Sequence, residues 1–528
     1  MLVVFLDKII GLGYLMNSKS GEKTSYWWLQ IVAMLVCLIL VSGCNNSNSV
    51  AADKVLTIAV EGTYPPFEFQ TDKGELQGFD VDLMNAIARV AGFKINYQNL
   101  PFAGMIPALQ GRTIDAAVAA MTITEERAKT VSFSRPYFRS GLAIAIRTND
   151  KSITGFESLN NKRISVQIGT TGAEKAAAIP GAKVRSFDDA PTAIRELLNG
   201  NVDALLHDEP VILYAINSGN VEGVKIVGKL LTEEYFGFPT PKKSPNLALI
   251  NRGLTKLLSN GVYAQVYQKW FGVKPPTLPE RLPFQTETTT GSGLVTTFRT
   301  ITTAMPLLLR GALVTLQLTA LSVILGLIGG SLLGIIRLSK ILPIRWVARA
   351  YIDFFRGTPL LVQIFTIYFG LPAISQELGF GFNLNRWTAA IIALSLNSTA
   401  YIAEIVRAGI QSIETGQSEA AESLGMSSNQ TMRYIVFPQA LRRMLPPLGN
   451  EFISMLKDTS LVAVIGFEEL FRNGQLIVAT NYRSFEIYAA VAFIYLVLTI
   501  FSSQVFSRLE QWFNPVTRKK VSKNPLSS

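Results

Sequence analysis

Hydrophobicity is spread unevenly along this chain, and that asymmetry limits its fold more than any single motif. Five apolar stretches, near 312–336, 348–372, 387–408, 444–466 and 485–508, all fall in the C-terminal half. Each is about long enough to cross a ~30 Å hydrocarbon core as a helix. Residues 53–275 instead alternate short β-rich runs with helical patterns. With 528 residues, 48% of them hydrophobic, the chain reads as a membrane protein with a soluble domain N-terminal to its spans.

A formal net charge of +11 suits nucleic acid, anionic lipid or the basic excess of cytoplasmic loops. Position separates these readings. Arg337, Lys340, Arg345, Arg349, Arg407, Arg442, Arg443, Arg518, Lys519 and Lys520 flank apolar spans, so the charge reports topology. Membrane lipid is an expected partner and nucleic acid is not. Residues 1–44 read as a signal peptide: Lys19 and Lys23 precede the largely apolar Trp27–Val41, which ends in Val41-Ser42-Gly43-Cys44. Those last residues resemble the box that is cleaved and lipidated in bacterial lipoproteins; the alternative is an uncleaved anchor helix. Either way, the soluble domain beyond Cys44 is exported. The basic loops after the first and third spans and the basic tail, 513–528, then lie in the cytoplasm, as the positive-inside rule requires. Cys37 and Cys44 are the only cysteines and His207 the only histidine, so no metal centre is expected.

Within 53–275, Val55–Val60 reads as a strand and Asp80–Ala91 as an amphipathic helix. Arg163–Gln167, followed by Gly169-Thr170-Thr171-Gly172 and another helical pattern, suggests a second α/β lobe and hence a cleft between two lobes. Residues 276–300, with Pro276, Pro279 and Pro283 before a Thr-rich and Gly/Ser stretch, read as a linker, and 301–512 as an all-α membrane domain.

Several ordered motifs carry a family resemblance. Tyr64-Pro65-Pro66-Phe67-Glu68, Gly78-Phe79-Asp80-Val81-Asp82-Leu83, Ile106-Pro107-Ala108-Leu109, Thr122-Ile123-Thr124-Glu125-Glu126-Arg127 and Gly169-Thr170-Thr171-Gly172 together resemble the polar amino-acid binding proteins of bacterial importers, of the periplasmic-binding-protein type II fold. The resemblance implies an amino-acid substrate held between the lobes. A bidentate guanidinium at Arg127 suits an α-carboxylate better than lysine would. Gly169, Thr170 and Thr171 offer a bend whose N–H groups and hydroxyl can hold the other carboxylate oxygen. Asp208 matches the acceptor of the α-ammonium, helped by Thr122 and the carbonyl of Ala120. Tyr64 and Phe102 match two aromatics that sandwich the substrate side chain, and Glu61 sits where the family carries an acid near that side chain's end. Aromatic faces with an acid favour a cationic side chain, hence arginine, lysine or histidine, with glutamine or glutamate as the alternative. His207 reads as a helper or structural residue.

In the membrane half, Glu419-Ala420-Ala421-Glu422-Ser423-Leu424-Gly425-Met426 before Ile435-Val436-Phe437-Pro438 resembles the EAA loop of ABC importer permeases. That loop forms a short cytoplasmic coupling helix that docks on the ATPase, with Glu419, Ala420 and Ala421 on the helix and Gly425 allowing the turn after it. Phe355–Gln363 and Ser395–Tyr401 resemble the polar amino-acid branch of these permeases. Asp353, Glu404, Lys457 and Asp458, within or beside spans, are expected to face protein or a water-filled path. No Gly-x-x-x-x-Gly-Lys-Ser/Thr loop occurs. The resemblance therefore implies no enzyme and no cofactor in this chain, ATP used by a separate ATPase subunit, and a homodimer in a bacterial plasma membrane with the binding domain outside. A ligand-gated channel shares the ligand-binding fold, but would need its pore inserted between the lobes.

Overall fold

A computed structural model describes residues 54–71, 73–218, 221–280, 294–379 and 384–513. The signal segment with Cys37 and Cys44, much of the linker and the basic tail lie outside the described residues.

Lobe 1 runs in chain order through β1 (Val55–Val60), β2 (Thr63–Tyr64), β3 (Glu68–Gln70), β4 (Leu76–Gln77), α1 (Phe79–Ala91), β5 (Lys94–Asn99), α2 (Phe102–Gln110), β6 (Ala116–Val118), α3 (Glu125–Thr130), β7 (Val131–Phe133) and β8 (Phe138–Ser140). The apolar β1 takes the centre of a parallel sheet, β5-β1-β6, because only a strand covered on both faces can be hydrophobic throughout. Phe79, Leu83, Met84 and Ile87 of α1 are fully buried.

Lobe 2 comprises β9 (Leu142–Arg147), β10 (Arg163–Gln167), α4 (Thr171–Ala177), β11 (Lys183–Phe187), α5 (Ala190–Leu198), β12 (Ala204–Asp208), α6 (Glu209–Asn217) and β13 (Val224–Val227), with strand order β11-β10-β12-β9-β13. The chain then returns through β14 (Glu234–Phe236), antiparallel to β8, and β15 (Pro239–Pro241), antiparallel to β7. α7 (Asn246–Ser259) and α8 (Val262–Phe271) bury Ile250, Leu254 and Tyr263 in the core that holds Phe67 and Phe79, so lobe 1 is completed by the end of the domain. Two segments thus cross between the lobes, at Gly141 and before Glu234. They pass so closely that a Cβ on Gly141 would lie 2.4 Å from the carbonyl oxygen of Thr232.

The membrane domain comprises α9 (Leu294–Arg337), α10 (Leu342–Gly357), α11 (Leu360–Phe365), α12 (Leu371–Glu377), α13 (Arg386–Gln411), α14 (Thr415–Ser423), α15 (Ser428–Thr431), α16 (Phe437–Asp458), α17 (Leu470–Asn481) and α18 (Ser484–Phe513). α9 and α13 lie against each other through small residues: a Cβ on Gly330 would fall 2.7 Å from Ile402 Cβ, and one on Gly334 2.8 Å from the Ala403 carbonyl oxygen.

Three helices among the described residues, Thr297–Arg337, Arg386–Gln411 and Ser484–Phe513, are long and apolar enough to cross a membrane. The stretch expected as one span near 348–372 is instead two segments, Leu342–Gly357 and Leu360–Ser375, bent by 106°. That near 444–466 is α16 followed by a 3-10 turn, Thr459–Ile465, and its Glu451, Lys457 and Asp458 dilute its hydropathy. Asp353 faces Arg349 at 3.4 Å on an exposed helix surface, whereas Glu404 pairs with Arg407. α13 begins at Arg386, which bonds the Gly466 carbonyl and lies in the field of Arg185 and Glu196 of lobe 2. Its other end leads into α14. At 1.5 Å per residue those ends are ~38 Å apart, so lobe 2 and α14 sit at opposite ends of the bundle.

The break at 358–360 has a chemical cause. Pro359 lacks an N–H, and it forces Thr358 into an extended conformation (φ −114°, ψ 144°). The exposed carbonyls must then be satisfied locally, since lipid supplies no donors. The Gln363 amide does so, donating to the Phe355 carbonyl (2.8 Å), the Thr358 carbonyl (3.1 Å) and the Thr358 hydroxyl (2.9 Å). Asn397 on α13 donates in turn to Gln363 Oε1 at 3.1 Å. Two sequence motifs are thereby one hydrogen-bonded unit. Replacing Gln363 with Leu should lower stability by roughly 1–3 kcal/mol, and adding Asn397→Leu should cost less than the sum of the two. Thermal unfolding of the detergent-solubilised chain reads both; a wild-type transition in the Gln363→Leu variant would mean that this network contributes nothing to stability.

Candidate functional site

The carboxyl ends of β1, β6, β10 and β12 all point to the gap between the lobes, the usual crevice for a ligand in open α/β sheets. Glu61 follows β1, Gln167 ends β10 and Asp208 ends β12, so polar residues at the strand ends meet across the gap.

Arg127 is the centre of the site. Its position in α3 is set by Thr124, whose hydroxyl caps the helix by accepting the Arg127 amide proton. The guanidinium is 1% exposed, donates through Nη1 to the Thr122 carbonyl (2.7 Å) and through Nη2 to the Gly169 carbonyl across the gap (2.9 Å). Its Nε is buried with no partner among the described residues. Phe102, at the start of α2, lies beneath it with the ring centroid 5.4 Å from Cζ.

The opposite wall is acidic. Glu61 accepts both 2.9 Å and 3.0 Å contacts from the Gln167 amide of lobe 2. Tyr64 donates to Asp208, and its ring lies 5.4 Å from that of His207. Asp208 Oδ1 is buried without a partner among the described residues. Glu234, on the returning crossover strand, accepts from the hydroxyls of Thr122 (2.7 Å), Thr171 (2.9 Å) and Thr232 (2.9 Å). Lobe 1, lobe 2 and the crossover therefore meet in one closed network.

Electrostatics follow from this burial. Desolvation pushes the Glu61 carboxyl up to about 8, against the pull of its Gln167 bond. It raises Asp208 to about 7, with the Glu234 charge adding and Tyr64 and Arg127 opposing. Desolvation also lifts Glu68 well above the ordinary carboxyl range, and it holds His207 down to about 4, keeping that ring neutral at physiological pH.

The structure thus gathers Glu61, Tyr64, Phe102, Thr122, Arg127, Thr171 and Asp208 around one gap. Tyr64 and Phe102 occupy different walls: Phe102 stacks on Arg127, whereas Tyr64 sits with Asp208 and His207. Thr170 spends its hydroxyl on capping α4, donating to the Gln167 carbonyl (2.8 Å) and accepting from the Ala173 amide (3.2 Å). Ala120 adopts φ 43°, and its amide donates to Asp80 (3.0 Å), which Tyr137 also meets. Burial lifts Asp80 to about 7.

Sequence reasoning missed Gln167, Glu234 and Asp80. Gln167 was visible as the last residue of the expected strand Arg163–Gln167. Glu234 carried no local signal, because its partners Thr122 and Thr171 are 112 and 63 residues away. Asp80 in the first turn of a helix has an ordinary dipole explanation that conceals its role.

At the far end of the bundle, Glu419, Ala420 and Ala421 lie on α14, with Glu419 and Ala420 exposed and Ala421 buried. Leu424 is 84% exposed, and Gly425 turns the chain with φ 81°.

Residues 56–273 match the family described as bacterial extracellular solute-binding proteins, family 3, and residues 323–515 match the binding-protein-dependent transport system inner membrane component. The chain is 46% identical over 208 residues to the glutamine transport system permease protein of Escherichia coli K12, covering 39% of this chain and 93% of that protein. It is 37% identical over 207 residues to the arginine transport system permease protein of Bacillus subtilis 168, covering 39% and 92%. The structure of an ancestral arginine-binding protein bound to arginine has 41% sequence identity, covering 41% of this chain and 98% of that one, with a TM-score of 0.40. This chain belongs to the binding-protein-dependent transport systems, as an amino-acid permease that carries its own family 3 solute-binding domain.

Proposed function

We propose that this chain binds basic amino acids, arginine first among them, in the gap between its lobes and passes them inward through its membrane domain. The observation that carries the substrate class is the acidic character of the gap: Glu61, Asp208 and Glu234 face it together with Arg127. A zwitterion's carboxylate and ammonium use Arg127 and Asp208, whose Nε and Oδ1 are buried without protein partners among the described residues. That leaves Glu61 for a guanidinium or ammonium at the side-chain end. Arginine and glutamine are both named among the substrates of related permeases, and Glu61 is the residue that favours the former.

The domain lies outside the membrane and α14 inside, in keeping with their opposite ends of α13 and with the basic residues at the α14 end. The exposed Leu424 beside the Glu419–Gly425 turn is the apolar contact offered to a cytoplasmic ATPase, which hydrolyses the ATP; this chain itself holds no cofactor. Two copies form the pathway, with lipid around them.

Binding a cation next to Glu61 favours its ionised form. The Glu61 carboxyl, pushed up to about 8, is then deprotonated on binding, and arginine affinity rises with pH up to about 8. The opposite sign applies to the closed gap without a substrate. Raised carboxyls stabilise it below their ordinary values, and that contribution is lost as pH rises through about 8. Calorimetry of the full chain in nanodiscs, run at pH 7 in buffers of different ionisation enthalpy, should show more proton release with arginine than with glutamine, whose α-ammonium draws only on Asp208, and Glu61→Gln should remove that difference. Glutamine binding with no arginine binding would discard the basic preference. Arg127→Ala should weaken binding of every amino acid by roughly 2–5 kcal/mol; retained wild-type affinity would remove Arg127 from the clamp. Leu424→Asp should leave arginine binding intact while lowering substrate-stimulated ATP hydrolysis by the assembled transporter, and unchanged stimulation would displace Leu424 from the coupling contact.

A further inference from the structure

Helix α17 of the membrane domain lies across the mouth of the gap rather than against one lobe. At its start Glu469 caps it, accepting from the amides of Phe471 (2.7 Å) and Arg472 (2.6 Å). Arg472 is 1% exposed, pairs with Asp188 and donates to the Ser186 carbonyl, both in lobe 2. Just before it, Gly466 comes so near lobe 2 that an added Cβ would sit 3.0 Å from the Phe187 ring.

The other end reaches the clamp. Ala479 Cβ lies 3.6 Å from where a Cβ on Gly169 would be, and Ala103 of lobe 1 lies 3.8 Å from the same point. Gly169 is the residue whose carbonyl receives Arg127. Tyr482, directly after the helix, holds φ 56°, a conformation that a residue with a Cβ keeps only where its surroundings fix it. Its side chain is 4% exposed, packs in the lobe 1 cluster of Phe102, Met105 and Ile106, and lies close enough to Arg127 for the two groups to interact electrostatically.

One helix of the permease therefore touches both lobes, and touches them beside the residues that close the gap. Moving the lobes apart about Gly141 would separate Asp188 from Phe102 and pull one end of α17 from its seat. We infer that Tyr482 is an affinity-determining residue that the membrane domain contributes to the binding site, seated in the lobe 1 cluster beside Arg127 while α17 holds lobe 2 through Arg472. The inference rests on the reading that the gap takes an amino acid. Coupling of this kind is reciprocal, so docking tightens substrate binding by the factor by which substrate tightens docking.

The test uses the full chain in nanodiscs, with arginine as probe and two readouts. In the first, Tyr482→Ala weakens arginine binding about tenfold, a typical coupling factor, while Tyr482→Phe, which keeps the ring, retains most of the affinity; Arg472→Gln reproduces the loss from the opposite end of the helix. In the second, cysteines replacing Ala103 and Ala479, with Cys37→Ser and Cys44→Ser, form a disulfide faster when arginine is present. Wild-type binding with no change in Tyr482→Ala and no effect of arginine on the cross-linking rate overturns the inference and leaves the substrate reading standing. A wild-type chain that binds none of arginine, lysine, histidine or glutamine overturns both. A correctly inserted Tyr482→Ala variant that binds more tightly than wild type also overturns it, because Tyr482 would then compete with substrate rather than support closure.

Discussion

A guanidinium cannot be buried without acceptors, and the arrangement of this domain follows from how Arg127 is supplied with them. Neither lobe provides enough alone. Thr122 gives one carbonyl from lobe 1 and Gly169 one from lobe 2, and the ring of Phe102 supports the cation from below. Closing the lobes is thus what allows Arg127 to be only 1% exposed. Removing the lobe 2 acceptor would leave a desolvated cation, which is far more costly than an exposed one. The topology makes this possible: two crossover segments, packed closely at Gly141, give the lobes a narrow connection about which to move while the strand ends stay aimed at the gap.

The charge opposite Arg127 gives the closed state its chemical direction. Glu61, Glu68 and Asp208 are all raised by burial, so closing the gap around water or around nothing is unfavourable for their ionised forms. A ligand that brings positive charge relieves that cost. The same reasoning explains why Gln167 meets both oxygens of Glu61 and why Glu234 is surrounded by three hydroxyls: neutral donors satisfy carboxylates without cancelling their charge.

Much of this was legible in the sequence because it is local. The amphipathic α1, the Thr124 cap before Arg127, the Gly425 turn and the apolar spans each depend on residues a few positions apart. What escaped depends on distance or on context. Glu234 acquires meaning only when a strand from the end of the domain crosses back beside Thr122 and Thr171. The span near 348–372 looks continuous by hydropathy, yet one proline breaks it, and the break is tolerable only because Gln363 and Asn397 satisfy the exposed carbonyls. The contact of Tyr482 with the Phe102 cluster joins residues that lie in separate domains of the same chain, and no periodicity foretells it.

A clamp of Arg127 and Asp208 on the two charges of an amino acid's α-carbon would make both of those charges necessary for binding. Affinities of the full chain for arginine, for agmatine, which lacks the carboxylate, and for Nα-acetylarginine, which lacks the ammonium, test it most directly. With such a clamp each analogue binds at least about thirtyfold more weakly than arginine, the lower end of what an unpaired buried charge costs. Agmatine binding as tightly as arginine would contradict the clamp, because the side chain alone would then carry recognition.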